Sequence, residues 1–426
     1  MSDTMFQLES HLSNAQNAVV GEVQRIMAEL HINVFLTGGA LRDMVSGLAV
    51  RDLNFTVEMP PAKLLKALEK QSGAKIVKSD DSRKSYELVF PNGVLAEVSM
   101  ARVEKYPKPG AAPKVSPATI HEDLRGRDFS INCLAISLSK GSRGLLLDPT
   151  NGLSDLRDRV LRAVSSSALA NDPSRILKLA ILEARLGFAL DERTKFQYDA
   201  AREAKLEKLI PADALRREII KIGEEVNPLP ILELLEREKL LELYFPGFAG
   251  PKLNAAGFQK MLKLRGLLPF GANFTEDRFS LFLFTVSEKW SPKDKLAFLK
   301  STKLSKKEAE AWKSLDKKAK SLETALKSPK LNKPSLVYEK LNAAPLEQVL
   351  VLLYKSSQRT VQDRIKNYLQ KYLPAAMEVT DEDVLAAGAD PKTPKGQALK
   401  KKLILTRVDA RPKKVATPEQ AFGLPA

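Results

Sequence analysis

Hydrophobic positions along the chain follow two different periods, and the change between them divides it. Up to about residue 150 the apolar residues come in short runs separated by Gly, Pro and charged residues: Val34-Phe35-Leu36, Asp52 to Val57, Lys75 to Lys78, Tyr86 to Phe90 and Val94 to Met100. Runs of that length between turn residues predict strands. Helical patterns are interleaved with them: an amphipathic helix from Phe6 to Leu30, another opening at Ala40 to Val45, and one over Pro61 to Gln71 with proline at its start. From near Leu156 the spacing becomes helical and stays so, as in Ile231 to Phe245, which stops at Pro246-Gly247. The expected fold class is α+β: a head of about 140 to 150 residues with helices packed on a mixed sheet, then helices alone.

Chemistry enters first at Thr37-Gly38-Gly39, where the Val34 run stops and a helix pattern begins. Paired glycines at such a turn let a ligand approach the backbone, and N–H groups at a helix start face anions such as a triphosphate. Arg42 adds a positive fork for the same phosphates. In the next strand Asp52 and Asn54 are two residues apart, so both project from one face. A carboxylate pair so spaced can bind magnesium for nucleotidyl transfer, and here the second member is an amide. Spacing alone also describes an ordinary strand, Gly-Gly turn and helix. Glu97, in apolar company on the run Val94 to Met100, reads by itself as a solvent-facing strand residue.

Two further stretches stand out. Glu122 to Ala135, EDLRGRDFSINCLA, carries Arg127 and Asp128, which by themselves read as a surface ion pair. Asn171 to Lys178, NDPSRILK, opens a helix on which Asp172, Arg175 and Lys178 recur every three residues on one face. An Asp/Arg pair at a helix start is commonly only a solvated pair well placed for the helix dipole.

Composition narrows the partners. With 426 residues and 44% hydrophobic content the chain can bury a large core and exceeds one typical domain. Its 68 basic against 52 acidic residues give a net charge of +16, which suits a polyanion, RNA rather than a membrane surface. No apolar run approaches the length of a membrane span, and MSDTMFQLESHL lacks the features of a signal peptide, so a cytoplasmic location is expected. The single Cys133 forbids an internal disulfide, and one cysteine with three scattered histidines makes no zinc site. No obligate protein partner is expected.

These stretches together resemble the class II tRNA nucleotidyltransferases, the CCA-adding enzymes, and the related bacterial poly(A) polymerases. Their head signature runs GG, two residues, RD, a Gly, then DxD; their second motif is DLxRRDFTxNA and their third EDxxRxxR. The match recurs in order, through Asp148-Pro149-Thr150-Asn151-Gly152, the LLELYFPG stretch and the tail segment Val379 to Val384. The resemblance implies a nucleotidyltransferase head over 1–150, a helical neck with the base-reading motif over 151–225, a helical body over 226–335 and an RNA-binding helical tail over 336–426. It implies template-independent addition of C and A to the 3′ end of tRNA, with ATP and CTP as substrates and magnesium as cofactor. Asp52, Asn54 and Glu97 would be catalytic, the first two on the metal. Gly38, Gly39, Arg42 and Arg127 would meet the triphosphate, Asn132 would brace the site, and Asp172, Arg175 and Lys178 would read the base.

Departures from the family pattern fall on the same chemistry. Asn54 stands where the second metal-binding Asp belongs, Asn171 and Lys178 replace Glu and Arg in the base-reading row, Ile181 stands at a further position that is often Arg, and Gly126 and Cys133 interrupt the second motif. A neutral amide offers magnesium one charge less, so a weakened site is expected. The alternatives are a catalytically impaired paralogue that binds RNA and a poly(A) polymerase of the same family. The family's phosphohydrolase module, which needs an adjacent His-Asp pair, is not expected. The Lys-rich stretch from Lys300 to Lys333 reads as a solvated face or, in an RNA-binding domain, as a phosphate grip. The last dozen residues, with Pro418 and Pro425, read as a loose end.

Overall fold

A computed structural model describes residues 3–272 and 274–410, so the expected loose end lies outside the described residues. The chain forms two compact units, Met1–Pro211 and Ala212–Ala426.

The first unit opens with two helices, α1 (Asp3–His11) and α2 (Asn14–Leu30), where the sequence pattern suggested one. The break is a capping box at Ser13: its side chain accepts from Gln16 N at 3.2 Å while the Gln16 side chain accepts from Ser13 N at 2.9 Å. Strand β1 (Val34–Thr37) leads through the Gly-Gly turn into α3 (Gly39–Val45), then β2 (Leu53–Val57) and α4 (Ala62–Ala67). The helix expected to run to Gln71 continues from α4 only as a π-helical turn, Leu68–Ser72, and Gly73 at φ 69° ends it. Strands β3 (Lys75–Asp80), β4 (Ser85–Val89) and β5 (Leu95–Met100) follow, then a hairpin not anticipated from the pattern, β6 (Arg102–Lys105) with β7 (Lys114–Pro117). After α5 (Ile120–Arg125) come β8 (Ala135–Ser137), β9 (Leu146–Leu147) and α6 (Gly152–Asp158).

Seven strands make one mixed sheet in the order β3-β4-β5-β2-β1-β8-β9, with β2 and β5 parallel and the other neighbours antiparallel. Register gives its two faces different characters. Leu36, Phe55, Val98 and Ile136, with Leu53, Val57, Leu88 and Ala96 beside them, share one face, and all are buried. Across from them Phe35 and Ala135 join Ile120, Leu124 and Cys133 in a small core under α5. Beside that core, β1, β2 and β5 turn Thr37, Asn54, Thr56 and Glu97 to the same face, which is polar there.

Beyond residue 150 the chain is not purely helical at first: β10 (Val160–Leu161) and β11 (Ala189–Leu190) pair in parallel around α7 (Ala168–Asn171) and α8 (Ser174–Leu186). Residues 151–211 belong to the first unit, so a boundary expected near 150 falls inside it. The reason is polar as well as apolar: the Ser130 hydroxyl donates to Asp155 Oδ2 at 2.5 Å, and Arg185 of α8 grips Asp43 of α3.

The second unit is helical throughout its described residues. Its core contains an aromatic cluster in which Phe245 stacks on Phe248 at 4.8 Å and Trp290 meets both edge-on, with Phe298 and Trp312 beside it. The Lys-rich stretch contributes one helix, Lys306–Leu326, which buries Trp312, Leu315, Ala319, Leu322 and Leu326 and leaves its lysines outside.

Candidate active site

The turn between β1 and α3 is where the second sheet face acquires its chemistry. Gly38 sits at φ 72°, ψ −128°, a conformation that glycine alone adopts freely. A Cβ there would also lie 3.2 Å from Arg127 Nη1 and 3.7 Å from Asn54 Nδ2. Gly38 is therefore fixed by conformation and by crowding together, and the same crowding brings Arg127 and Asn54 to the turn.

Asn54 and Glu97 are register partners across the parallel pair β2 and β5, so their side chains share the polar face. Glu97 accepts a hydrogen bond from the Ser85 hydroxyl at the start of β4. Asp52 stands just before β2 and is exposed, whereas Asn54 and Glu97 are half-buried. Arg127 is held by Asp123, which accepts from both Nε and Nη2, and by the hydroxyls of Thr37 and Thr56, which accept from Nη2 at 3.1 and 3.3 Å. Burial disfavours this guanidinium's charge, but Asp123 outweighs it and its proton is held more tightly than usual.

Arg42 is the clearest departure from the expectation drawn from sequence. It is 7% exposed and points into the protein, donating to Asp43 Oδ1 at 2.8 Å and to Asn132 Oδ1 at 2.8 Å. A guanidinium whose donors meet an acidic neighbour and a buried amide is braced rather than offered to a ligand. Asn132, expected to brace the site, also donates from Nδ2 to Asp128 Oδ1 at 2.9 Å.

Nor do the base-reading candidates form one row on a helix. Asp172 precedes α8 in extended conformation, φ −124°, ψ 95°, because Pro173 disfavours helix in the residue before it. Its Oδ1 caps the chain entry by accepting from Ser174 N at 3.0 Å and Ser174 Oγ at 2.6 Å. Arg175, in the first turn, reaches back to the carbonyl oxygens of Arg127 and Gly126 at 3.4 and 3.5 Å, with Asp172 Oδ2 4.0 Å from its Nε. Lys178 leaves the row and pairs with Asp128. Burial resists ionisation of Asp128, yet Lys178 and Arg175 hold its carboxyl far below the usual range.

A polar group built on Glu104 borders Asp172 and Arg175. Glu104 accepts from Arg102 Nε at 2.8 Å and from the Tyr106 hydroxyl at 2.5 Å, and burial of its carboxyl is outweighed by these partners. Burial and Glu104 push the Tyr106 phenol far up, and the phenol also feels the charges of Asp172 and Arg175. Cys133 takes no part: burial raises its thiol to about 12.

The structure thus brings Gly38, Asn54, Glu97 and Arg127 together on the polar face, sets Arg175 against the Arg127 backbone, turns Arg42 inward, and pairs Lys178 with Asp128. Sequence reasoning passed over Asp43, Thr37, Thr56, Asp123 and Arg185. Asp123 was signalled by its place four residues before Arg127, and Thr56 by its alternation with Asn54.

Among the described residues no group of three or more His, Cys, Asp or Glu is arranged to hold a metal by itself. Asp52, Asn54 and Glu97 offer only hard oxygen donors, which suits magnesium bound through one or two protein oxygens with substrate phosphates completing its shell. The residues fit a metal that arrives with its nucleotide.

Residues 34–162 match the family model described as the poly A polymerase head domain. The chain is similar to the A-adding tRNA nucleotidyltransferase of Aquifex aeolicus, 31% identical over 344 residues, covering 80% of this chain and 40% of that protein. It is also similar to the CC-adding tRNA nucleotidyltransferase of Deinococcus radiodurans, 39% identical over 151 residues, covering 35% of this chain and 40% of that protein. Among solved structures, a tRNA nucleotidyltransferase complexed with a primer tRNA and an incoming ATP analogue aligns with TM-score 0.51 and 28% identity, over 82% of this chain and 97% of that one. The matched part thus spans 40% of the length of each of these two curated relatives. Among the described residues no helix is long and apolar enough to cross a membrane.

Proposed function

We propose that the chain is a template-independent nucleotidyltransferase that adds C or A to the 3′ end of tRNA, taking CTP and ATP as substrates. The observation that carries this reading is the meeting of Gly38, Arg127, Asn54 and Glu97 on one polar sheet face, in a chain similar to A-adding and CC-adding enzymes. In it the Gly38 turn leaves room for a triphosphate against the backbone, and Arg127, aimed by Asp123, Thr37 and Thr56, meets its charge. The RNA 3′-hydroxyl attacks the α-phosphorus, the bond to the β-phosphate oxygen breaks, and pyrophosphate leaves. Asp52 and Asn54 would hold magnesium, which supplies charge neutralisation for the phosphates and activation of the hydroxyl. Asp172 and Arg175 are assigned to the base edge, and the four-part division into head, neck, body and tail is kept as a functional one. A charge of +16 suits the RNA.

Asn54 favours one second reading, a protein that binds RNA and has lost transfer. The experiment is incorporation of labelled CTP and ATP into tRNA ends. The transferase reading expects incorporation by the parent, a rise with Asn54→Asp and loss with Asp52→Ala, while tRNA binding changes little. No incorporation by the parent with magnesium or manganese at high protein concentration would leave the RNA-binding reading. Brisk turnover that survives Asp52→Ala would overturn the metal assignment.

A further inference from the structure

Six side chains close a ring through the first unit. Asp43 accepts from Arg42 Nε at 2.8 Å; Arg42 Nη1 donates to Asn132 Oδ1 at 2.8 Å; Asn132 Nδ2 donates to Asp128 Oδ1 at 2.9 Å; and Asp128 Oδ2 pairs with Lys178 of α8. Two turns further along α8, Arg185 returns to the start, its Nη1 and Nη2 on the two oxygens of Asp43 at 3.0 Å each. Residues seven apart lie on one face of a helix, so Lys178 and Arg185 tie the same side of α8 down at two points. Asp43, Arg42, Asn132 and Asp128 are each less than a tenth exposed.

The ring joins what the site needs joined. Asp43 and Arg42 belong to α3, which begins at the glycine turn; Asp128 directly follows Arg127, with Asn132 four residues further on; and α8 carries Arg175. We infer that this ring sets the position of α8 against the Gly38 turn, and that Lys178 is a positioning residue instead of a base reader. Selection among nucleotide bases then depends on two ion pairs that do not touch the base. The apolar face of α8, from Ile176 to Leu186, packs the helix without fixing direction closely; two pairs a helical stretch apart, joined through buried donors, fix its rotation against α3. The ionised state is secured on both sides, since Arg42 and Arg185 outweigh the burial of Asp43 and hold its carboxyl below the usual range.

The inference rests on the proposed nucleotide site, and its test separates the two. Lys178→Met and Arg185→Met are compared with the parent for equilibrium binding of ATP, CTP, GTP, UTP and inorganic tripolyphosphate, and for hydrogen exchange. Arg185 lies ten residues beyond Arg175, about 15 Å along the helix, too far for a base contact. Both variants are expected to cut preference for ATP and CTP over GTP and UTP about fivefold, with tripolyphosphate binding unchanged. Lys178→Arg should restore it. Lys178→Met should also speed exchange in residues 39–45, and Arg185→Met in 128–133, because each opens the same ring. If only Lys178→Met erodes the preference, Lys178 reads the base and the inference falls. If both variants only lower Tm, the ring is structural and the inference falls equally. If the parent binds none of the four nucleotides, the proposed function fails; the exchange at the far side of the ring then still decides whether the two ion pairs act as one device.

Discussion

The two units of the chain bury different things. In the first, Arg42, Asp43, Asp123, Asp128, Asn132 and Asp155 lie beneath the surface, each met by partners of opposite charge or by amides and hydroxyls. In the second, Tyr244, Phe248, Phe298, Trp290 and Trp312 are buried together with many leucines, and Glu218 and Glu347 are its only buried acidic residues among those described. A core of stacked and edge-on rings gains from dispersion and area and requires little direction. A network of charges gains little net stability, because desolvation offsets most of the attraction, but it fixes directions closely. In the proposed function the polar unit meets phosphates and a base at set angles, while the aromatic cluster keeps the helical unit folded.

Breaking the aromatic side should have the largest effect. Trp290→Ala removes the ring that meets Phe245, Phe248, Phe298 and Trp312, and a loss of about 3–5 kcal/mol is expected, read by denaturant unfolding with hydrogen exchange across residues 241–315. If the loss is under about 1 kcal/mol, the cluster is not the unit's core.

Asp128→Asn should cost less, about 1–3 kcal/mol, since Lys178 is a third exposed and can turn to water. The double variant with Lys178→Met should be less destabilised than the sum of the two single changes, a non-additivity that denaturant unfolding measures directly.

Acid sharpens the same contrast with a smaller effect. Asp43, Glu104 and Asp128 all have carboxyls held below their ordinary range in the folded chain. The unfolded chain therefore takes up protons that the folded one refuses. Their stabilisation is complete above the unfolded value of about 4 and disappears as pH falls below it toward the folded values. Exchange protection should drop across residues 39–45 and 102–132 as pH falls below about 4, before it drops in the aromatic cluster; simultaneous loss in both regions would remove the distinction.

Period and turn residues act locally, so the pattern located five of the seven sheet strands to within a few residues and the change to helix beyond them; β8, β9, the β6–β7 hairpin and the β10–β11 pair left no such local mark. The sequence by itself also marked Gly38, whose conformation and crowding no other residue tolerates. The ordered motifs carried the candidate residues, since Asn54 and Glu97 each lie on a strand whose alternation turns them to one face. Local reasoning was blind to competition between partners. Arg42 and Lys178 were legible as cations near a site, but their directions depend on Asn132, 90 residues away, and on Asp128, 50 residues away. Asp172 was displaced from the helix by a local rule, proline's effect on the residue before it. Which charges face a ligand and which face each other follows from where distant carboxylates are buried, and only the tertiary structure decides that.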